Sequence, residues 1–308
     1  MRLRVKKMKK SPNMHNDKLT FAIFGNTYQS DKIYPIVQLM AKLREKDATI
    51  IIENTFYRYL KNNYDVTISD IHTFSDSNFD ADYVISFGGD GTLLRSAAMV
   101  GSKGIPIIGI NTGHLGFLAA VSPENVEKAV DAIYDRQYQL EEHSVICMDI
   151  DGMPLKGYSC ALNDIAILKQ DRASMISITT YINGELLTTY MSDGLIVSTP
   201  TGSTAYSLSN GGPIMVPQAN ILCLTAVAPH SLNLRPVVIS DNSEIKLKVC
   251  SRSHNFLAAV DGRSIKLNDT VTITIRKASH SISIIKQKNS SYYRTLREKM
   301  MWGMDIRK

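Results

Sequence analysis

The sequence predicts an α/β first domain built on a parallel sheet, followed by a β-rich second domain. Up to about residue 135, apolar runs of strand length alternate with segments whose apolar residues repeat at helical spacing. This alternation is typical of a parallel sheet with helices on both faces. Beyond that point the apolar period becomes two, and turn dipeptides such as Asn183-Gly184 separate the runs, which indicates antiparallel strands.

The elements of the first domain follow from their local patterns. Its short runs are rich in Ile, Val and aromatic residues, as expected of buried strands. Ser122-Pro123 supplies a cap and a first-turn proline for a helix that ends near Asp135. The predicted strands are 19–24, 49–52, 83–87 and 105–110, and the predicted helices are 31–46, 55–62, 93–99 and 123–135.

The second domain is predicted from apolar and polar residues that alternate between turn signals. A last segment, 291–303, carries aromatic and apolar residues at helical spacing, and we expect this helix to pack back on the first domain. The predicted strands are 147–150, 161–168, 176–182, 185–189, 245–250, 271–275 and 282–285. The predicted divisions are a tail at 1–18, the α/β domain at 19–135, the β-rich domain at 136–288 and the C-terminal helix at 289–308.

The net charge of +6 is confined to one end of the 308-residue chain. Residues 1–18 contain seven basic side chains and one acidic one, so the rest of the chain is close to neutral. A neutral body with a short basic arm does not suit a nucleic-acid surface. No apolar run reaches the roughly twenty residues of a membrane span, and the tail lacks the apolar core of a secretory signal. We therefore expect a disordered tail and no nucleic-acid or membrane partner.

The four cysteines, Cys147, Cys160, Cys223 and Cys250, each lie in an apolar, strand-like run. No two of them have C-x-x-C spacing, which disfavours a zinc or redox site. We expect buried, reduced thiols in a cytoplasmic protein.

One turn combines glycines with an acid: Gly88, Gly89, Asp90, Gly91 and Thr92 follow a buried strand and precede a helix. Free backbone N–H groups at a helix start favour phosphate, and glycines let it approach closely. A carboxylate repels phosphate, so Asp90 needs its own explanation. It is either a base that takes a proton from an attacking hydroxyl or a helix N-cap.

Two stretches of the second domain look chemical. Asn163-Asp164 places an amide and an acid in an apolar strand, where an unpaired carboxylate is costly unless a pocket or an internal hydrogen bond receives it. Residues 198–209 contain seven Ser or Thr and a tyrosine, which suits sugar hydroxyls, an amide or a pyrophosphate, although most such loops are only solvated. His114 is expected to be only a pocket wall, and residues 260–263 are expected to form a plain turn.

Several common motifs are missing. The sequence has no G-x-x-x-x-G-K-[ST] loop, no G-x-G-x-x-G after the first strand, no G-x-S-x-G elbow and no H-E-x-x-H. These absences disfavour a P-loop kinase, a dehydrogenase of the usual fold and a serine hydrolase.

Taken in order and spacing, 88–92, 111–117, Asn163-Asp164 and 199–209 resemble the NAD kinases of the bacterial type. The resemblance implies a Rossmann-like nucleotide-binding domain, a β-sandwich-like domain and a homodimer or homotetramer. It implies phosphorylation of the adenosine-ribose 2′-hydroxyl of NAD by ATP, giving NADP and ADP, with Mg²⁺ arriving with the ATP.

The resemblance also implies roles for individual residues. Asp90 matches the general base, with Gly91 beside it, and Phe117 matches a wall of the adenosine pocket. The chain departs from many members in having Asp164 where they have Glu, and Arg263 where several have Gln. The other matched NAD-binding positions are Asn163, Asp164, Asp193, Thr204, Ala205, Tyr206, Ser207, Leu208, Ser209 and, near the nicotinamide end, Ala228, some of them across a subunit interface.

Two other functions fit part of this pattern. Diacylglycerol-type and sphingosine-type lipid kinases share the glycine–acid turn but need an apolar acceptor channel, whereas 199–209 is polar. A non-catalytic NAD(P)-binding protein would keep the pocket without needing Asp90.

Overall fold

The computed structural model describes residues 18–27, 33–64, 71–113, 116–154, 157–171, 174–288 and 290–301. The predictions for residues 1–17, for His114 and for residues 302–308 of the C-terminal helix lie outside these ranges. Among the described residues, no helix is long and apolar enough to cross a membrane.

The first domain alternates strands and helices as predicted. The elements are β1 (Thr20–Gly25), α1 (Ile33–Glu45), β2 (Thr49–Glu53), α2 (Asn54–Asn63), β3 (His72–Phe74), β4 (Tyr83–Phe87), α3 (Asp90–Val100), β5 (Ile107–Ile110) and α4 (Val126–Tyr134), with 3₁₀ turns at Gly101–Lys103 and Pro123–Asn125. The strands pair in parallel in the order β5-β4-β1-β2-β3, and they are mostly buried because helices cover the sheet.

The loops that follow β1, β4 and β5 meet at one edge of the sheet. The N–H of Asn26 donates to the carbonyl of Phe87 at 3.0 Å, and the N–H of Gly88 donates to the carbonyl of Ile110 at 2.9 Å. Each loop is thus hydrogen-bonded to the end of the neighbouring strand. This convergence at the carboxyl ends of parallel strands is where α/β folds bind ligands.

The rest of the chain is mainly β-structure. The elements are β6 (Tyr138–Ile150), β7 (Met153–Pro154), β8 (Cys160–Ala161), β9 (Asp164–Lys169), β10 (Ile176–Ile182), β11 (Glu185–Ser192), β12 (Gly194–Ser198), a 3₁₀ turn (Thr201–Thr204), α5 (Tyr206–Ser209), β13 (Ile221–Val227), β14 (Val237–Ser240), β15 (Ile245–Cys250), β16 (Asn255–Val260), β17 (Arg263–Asn268), β18 (Thr272–Gln287) and α6 (Tyr292–Met300). Six of these strands form a second, antiparallel sheet in the order β14-β13-β12-β9-β16-β17, and the other strands extend the first sheet.

The six-stranded sheet packs on the extended first sheet as a sandwich. Buried side chains of both sheets, such as Ile178 and Leu247 of one and Leu195 and Phe256 of the other, form one apolar cluster. Each fully buried side chain of this size contributes about 2 kcal/mol of apolar transfer free energy, so this cluster stabilises the second domain.

Two long strands join the domains. β18 runs through both predicted strands 271–275 and 282–285, pairs with β6 along its length and pairs with β5 in parallel at Ile284 and Ile107. The hydrogen-bonded sheet is therefore continuous across residue 135. β6 begins at Tyr138, well before the predicted strand 147–150. The sequence pattern did not indicate its first half, because Leu140 is exposed and His143 is buried, the reverse of what their polarity suggests.

The predicted strand 161–168 is wrong as a single element. β8 belongs to the first sheet and β9 to the second, and the chain crosses between them at Leu162 and Asn163. The N–H groups of these two residues donate to the carboxylate of Asp261 at 2.8 Å each, so the crossing backbone is satisfied outside a β-ladder.

The prediction of four buried, reduced thiols is also wrong. Cys147 and Cys160 lie opposite each other on β6 and β8, with Cα atoms 4.0 Å apart, and form a disulfide. Of the free cysteines, Cys223 is buried and Cys250 is exposed. Sequence spacing could not reveal the pair because its members are thirteen positions apart in the chain, whereas strand pairing brings them together.

The disulfide predicts the outcome of a thiol count. Protein unfolded without reductant and labelled with a maleimide is expected to show two reactive thiols per chain, and four after reduction. In the Cys223→Ser control, one thiol is expected before reduction. Four thiols in the unreduced wild type would contradict the pairing of Cys147 with Cys160.

Candidate active site

Asp90 is the first residue of α3, and its carboxylate is directed at the loop that follows β5. It accepts the backbone N–H groups of Phe117 at 2.8 Å, Leu118 at 3.1 Å and Ala119 at 3.0 Å. The helix N-cap is Gly89, which has no side-chain capping bond, so the N-cap interpretation of Asp90 is wrong. The Asp90 side chain remains 29% exposed.

Glycines permit this arrangement at two positions. A Cβ on Gly116 would overlap the Asp90 carboxylate, and a Cβ on Gly88 would overlap the Thr92 hydroxyl. The Asp90 turn and the loop after β5 can therefore approach each other only because Gly116 lacks a side chain, and Gly88 leaves room for Thr92 within the turn.

The glycines flanking Asp90 line a cleft of about 350 Å³ on the side of the turn that faces β1. Arg95, one turn further along α3, also lines this cleft; its Nη2 donates to the Gly25 carbonyl at 2.6 Å and lies 3.9 Å from the Glu53 carboxylate. Helix N–H groups and a guanidinium suit an anion such as phosphate. No sequence motif marks Arg95, although it follows Gly91 at helical spacing. The lining residues are Gly25, Asn26, Thr27, Gly89, Gly91, Thr92 and Arg95.

A second cleft, of about 500 Å³, opens beside Phe117 and is bordered by α6. The Tyr292 ring lies 6.4 Å from the Phe117 ring, centroid to centroid. The Lys299 ammonium lies 4.3 Å above the Phe117 ring centroid and 3.8 Å from the Asp90 carboxylate. The C-terminal helix thus contacts both Phe117 and Asp90, and it packs on the first domain as predicted.

Asn163-Asp164 is held by an aspartate that the sequence suggested was only part of a turn. Asp261 is in the predicted turn, in an Asp-Gly pair with positive φ at both residues. Its carboxylate accepts the N–H groups of Leu162, Asn163 and Asp164 at 2.8, 2.8 and 3.1 Å, and its own N–H donates to the Asp164 carbonyl at 3.0 Å. An Asp-Gly hairpin gives no indication of this distant contact.

Burial makes Asp164 an unusual acid. Its side chain is largely removed from water, and this burial, together with the charge of Asp261, raises the pKa of Asp164 to about 7. Burial also raises the pKa of Asp261, although its three N–H donors and the Arg263 guanidinium oppose that change. Asp164 can therefore gain or lose a proton close to neutral pH.

The Ser/Thr segment lies against Asn163. The Thr199 N–H donates to the Asn163 carbonyl at 2.9 Å, and a Cβ on Gly202 would overlap the same peptide. Further along, Thr204, Ala205 and Leu208 are half-buried, and Tyr206 and Ser209 are exposed. The Ser207 hydroxyl is fully buried and lies 2.9 Å from the Thr225 hydroxyl.

Asp193 and Ala228 lie elsewhere in the chain. Both adjoin the start of β12, where the Asp193 carboxylate contacts Lys169 at 2.6 Å, whereas Asp164 pairs with Ser198 at the end of β12. Asp193 lies five residues before Ser198 along the strand, which corresponds to about 17 Å. A single chain therefore does not bring Asp193 and Ala228 to the Asn163 region.

The close approach at Gly116 predicts a stability loss. Gly116→Ala is expected to lower the free energy of unfolding by about 2 kcal/mol, because its methyl group must displace the Asp90 carboxylate from three donors. Gly91→Ala is the matched control, since a Cβ there meets no atom within 4 Å. Chemical denaturation measures both variants, and equal stabilities would contradict the packing described here.

Asp164 predicts a pH-dependent stability. Because the folded chain binds the Asp164 proton more tightly than the unfolded chain, the wild type should lose stability as pH rises from about 4 to about 7. Asp164→Asn removes this dependence, so its stability relative to the wild type should increase by roughly 3 kcal/mol between pH 4 and pH 8. Denaturation series for Asp164→Asn and the exposed control Asp135→Asn test this, and parallel curves for all three proteins would contradict it.

Comparisons with known proteins agree with this geometry. Residues 26–138 match the ATP-NAD kinase N-terminal domain, and residues 162–287 match the ATP-NAD kinase C-terminal domain. The NAD kinase of Bacteroides fragilis is 53% identical over 289 residues, which cover 94% of this chain and all of that protein. The crystal structure of an NAD kinase from Archaeoglobus fulgidus in complex with ATP superposes with a TM-score of 0.71 at 25% identity, covering 92% of this chain and 99% of that one. Yeast NADH kinase complexed with NADH shares the fold, with a TM-score of 0.86 at 20% identity over 94% of this chain and 89% of that one. This chain belongs to the NAD kinase family.

Proposed function

We propose that this chain is an NAD kinase that transfers the terminal phosphoryl group of ATP to the 2′-hydroxyl of the adenosine ribose of NAD, giving NADP and ADP. The observation that carries the proposal is the position of Asp90. Its glycine neighbours line the cleft that suits phosphate, while its carboxylate is directed at the Phe117 loop beside the second cleft. A base between donor and acceptor must occupy such a boundary.

In the proposed reaction the ribose oxygen forms a bond to the terminal phosphorus, and the bond from that phosphorus to the bridging oxygen of ADP breaks. The hydroxyl proton passes to Asp90 as the new bond forms. The three backbone donors fix the orientation of the carboxylate, and its exposed part remains free to accept the hydroxyl. Positioning supplies most of the rate in such a loose transition state.

The donor end of the proposed site uses backbone and guanidinium groups. The first N–H groups of α3 and the Arg95 side chain would hold the phosphates of ATP. Among the described residues, no group of three or more His, Cys, Asp or Glu could hold a metal ion. As the family resemblance implies, Mg²⁺ would enter bound to the triphosphate.

The acceptor end would combine two chains. Phe117 would lie against the adenosine, and Asn163, Asp164 and the half-buried or exposed residues of 204–209 would contact the dinucleotide. Asp193 and Ala228 lie about 17 Å from Asp164 within one chain. We propose that a second copy supplies them at the nicotinamide end, in a homodimer or homotetramer. The cytoplasmic location stays a prediction from the sequence.

The two alternatives differ from the proposal in measurable products. A lipid kinase would phosphorylate diacylglycerol or sphingosine, and a non-catalytic NAD(P)-binding protein would release no ADP. Incubation with Mg-ATP and either NAD or a lipid, followed by quantification of ADP and NADP, distinguishes all three. Formation of NADP and ADP in equal amounts, with NAD alone, is the expected result.

Asp90→Asn tests the proposed base. Turnover is expected to fall by about 10²- to 10⁴-fold because the amide cannot accept the proton, whereas NAD affinity, measured by calorimetry, should change little. One backbone bond is lost as well, so stability should fall by roughly 1–2 kcal/mol.

Asp82→Asn is the matched control, because Asp82 also accepts a backbone N–H, from Thr20 at 2.8 Å, but precedes β4 at the far edge of the sheet. Near-normal turnover of a folded Asp90→Asn enzyme would remove Asp90 from the mechanism.

A further inference from the structure

Lys286 is a buried cation beneath the loop that contacts Asp90. It lies near the end of β18 with its side chain 12% exposed, and its ammonium donates to the carbonyls of Phe117 and Leu118, both at 3.3 Å. Burial lowers the pKa of Lys286, while the charges of Glu141 and Asp90 oppose that change. Burying an ammonium is costly, so its partners and its position are informative.

The same loop is bonded on both sides. The N–H groups of Phe117 and Leu118 donate to Asp90, and their carbonyls accept from Lys286. Two consecutive peptides therefore lie between a carboxylate and an ammonium. This arrangement sets the distance between the Phe117 ring and the Asp90 carboxylate. The proposed reaction requires both groups to face the adenosine half of one NAD molecule.

Lys286 is itself held from the opposite side. The Glu141 carboxylate lies 3.8 Å from the Lys286 ammonium and 2.9 Å from Nε2 of the buried His143, and it accepts the Gln218 amide at 2.8 Å. Burial alone would raise the pKa of Glu141, but His143, Lys286 and Gln218 hold it below its usual value. Nδ1 of His143 lies 2.7 Å from the Thr201 hydroxyl, at the start of the Ser/Thr segment.

We propose that Lys286 is a positioning residue for phosphoryl transfer. It keeps the Phe117 ring and the Asp90 carboxylate at a fixed distance from each other. Glu141 and His143 link it to the segment at Thr201. It does not touch the reacting atoms. The inference rests on the proposed function, because it assigns Phe117 and Asp90 to the same substrate. The contacts run without interruption from the proposed base to the Ser/Thr segment on the second domain.

The test is Lys286→Met, which keeps the length of the side chain and removes its charge and donors. We expect kcat/KM for NAD to fall about 30-fold, with KM for NAD raised and KM for ATP unchanged, because the ATP cleft lies on the other side of the turn. A purely structural role would lower the active fraction and leave both KM values as they are. Lys286→Arg should restore most of the lost kcat/KM.

Lys288→Met is the matched control, the same substitution two residues further along, where an exposed lysine donates to the side-chain oxygen of Gln137. If Lys286→Met does not fold, Glu141→Gln carries the test. It removes the countercharge of Lys286 and should raise KM for NAD about fivefold at unchanged KM for ATP.

The outcomes are separable from those of the proposed function. If the wild type and Lys288→Met form no NADP, the proposed function fails whatever Lys286 does. If both form NADP and the folded Lys286 or Glu141 variant keeps the wild-type KM for NAD, the positioning role is overturned.

Discussion

Backbone N–H groups in loops that run between buried elements need hydrogen-bond acceptors. In the loop after β5, the carboxylate of a single aspartate accepts the N–H groups of three consecutive residues. Asp90 does this for Phe117, Leu118 and Ala119. Each hydrogen bond to a charged group contributes about 1.5–3 kcal/mol, so the contact fixes a loop that has no ladder of its own there. Because the acid starts α3, the same contact ties the phosphate turn to the aromatic wall.

Asp261 repeats the arrangement on the second domain. It accepts three consecutive N–H groups, from Leu162 to Asp164, at the point where the chain passes from one sheet to the other. The two sites differ in burial. Asp164 is the first residue of β9, in the segment that Asp261 holds, and its burial, together with the charge of Asp261, raises its pKa to about 7. Asp90 thus holds the loop that carries Phe117, and Asp261 holds the segment that carries the titratable Asp164.

Local pattern was sufficient for what depends on neighbouring residues. It predicted the parallel sheet and the turns at Asn183-Gly184 and Asp261-Gly262. It failed where a distant partner decides the outcome. The break in strand 161–168 depends on Asp261, about a hundred residues away, and the early part of β6 depends on β18. Lys286 and Arg95 carried no signal, because an isolated basic residue acquires a role only from the groups around it.

The cations around Asp90 follow from the electrostatics of the proposed reaction. A carboxylate and a phosphate oxygen about 4 Å apart repel by roughly 4 kcal/mol at the dielectric of a protein surface, which would keep ATP from the base. Lys299 lies 3.8 Å from that carboxylate, Arg95 lines the adjoining cleft, and Lys286 lies beneath the Phe117 loop. Each comes from a different element, α6, α3 and β18. The Lys299 charge, at a comparable distance from the carboxylate, offsets part of the repulsion, so the fold itself helps an acid to act as a base beside a triphosphate.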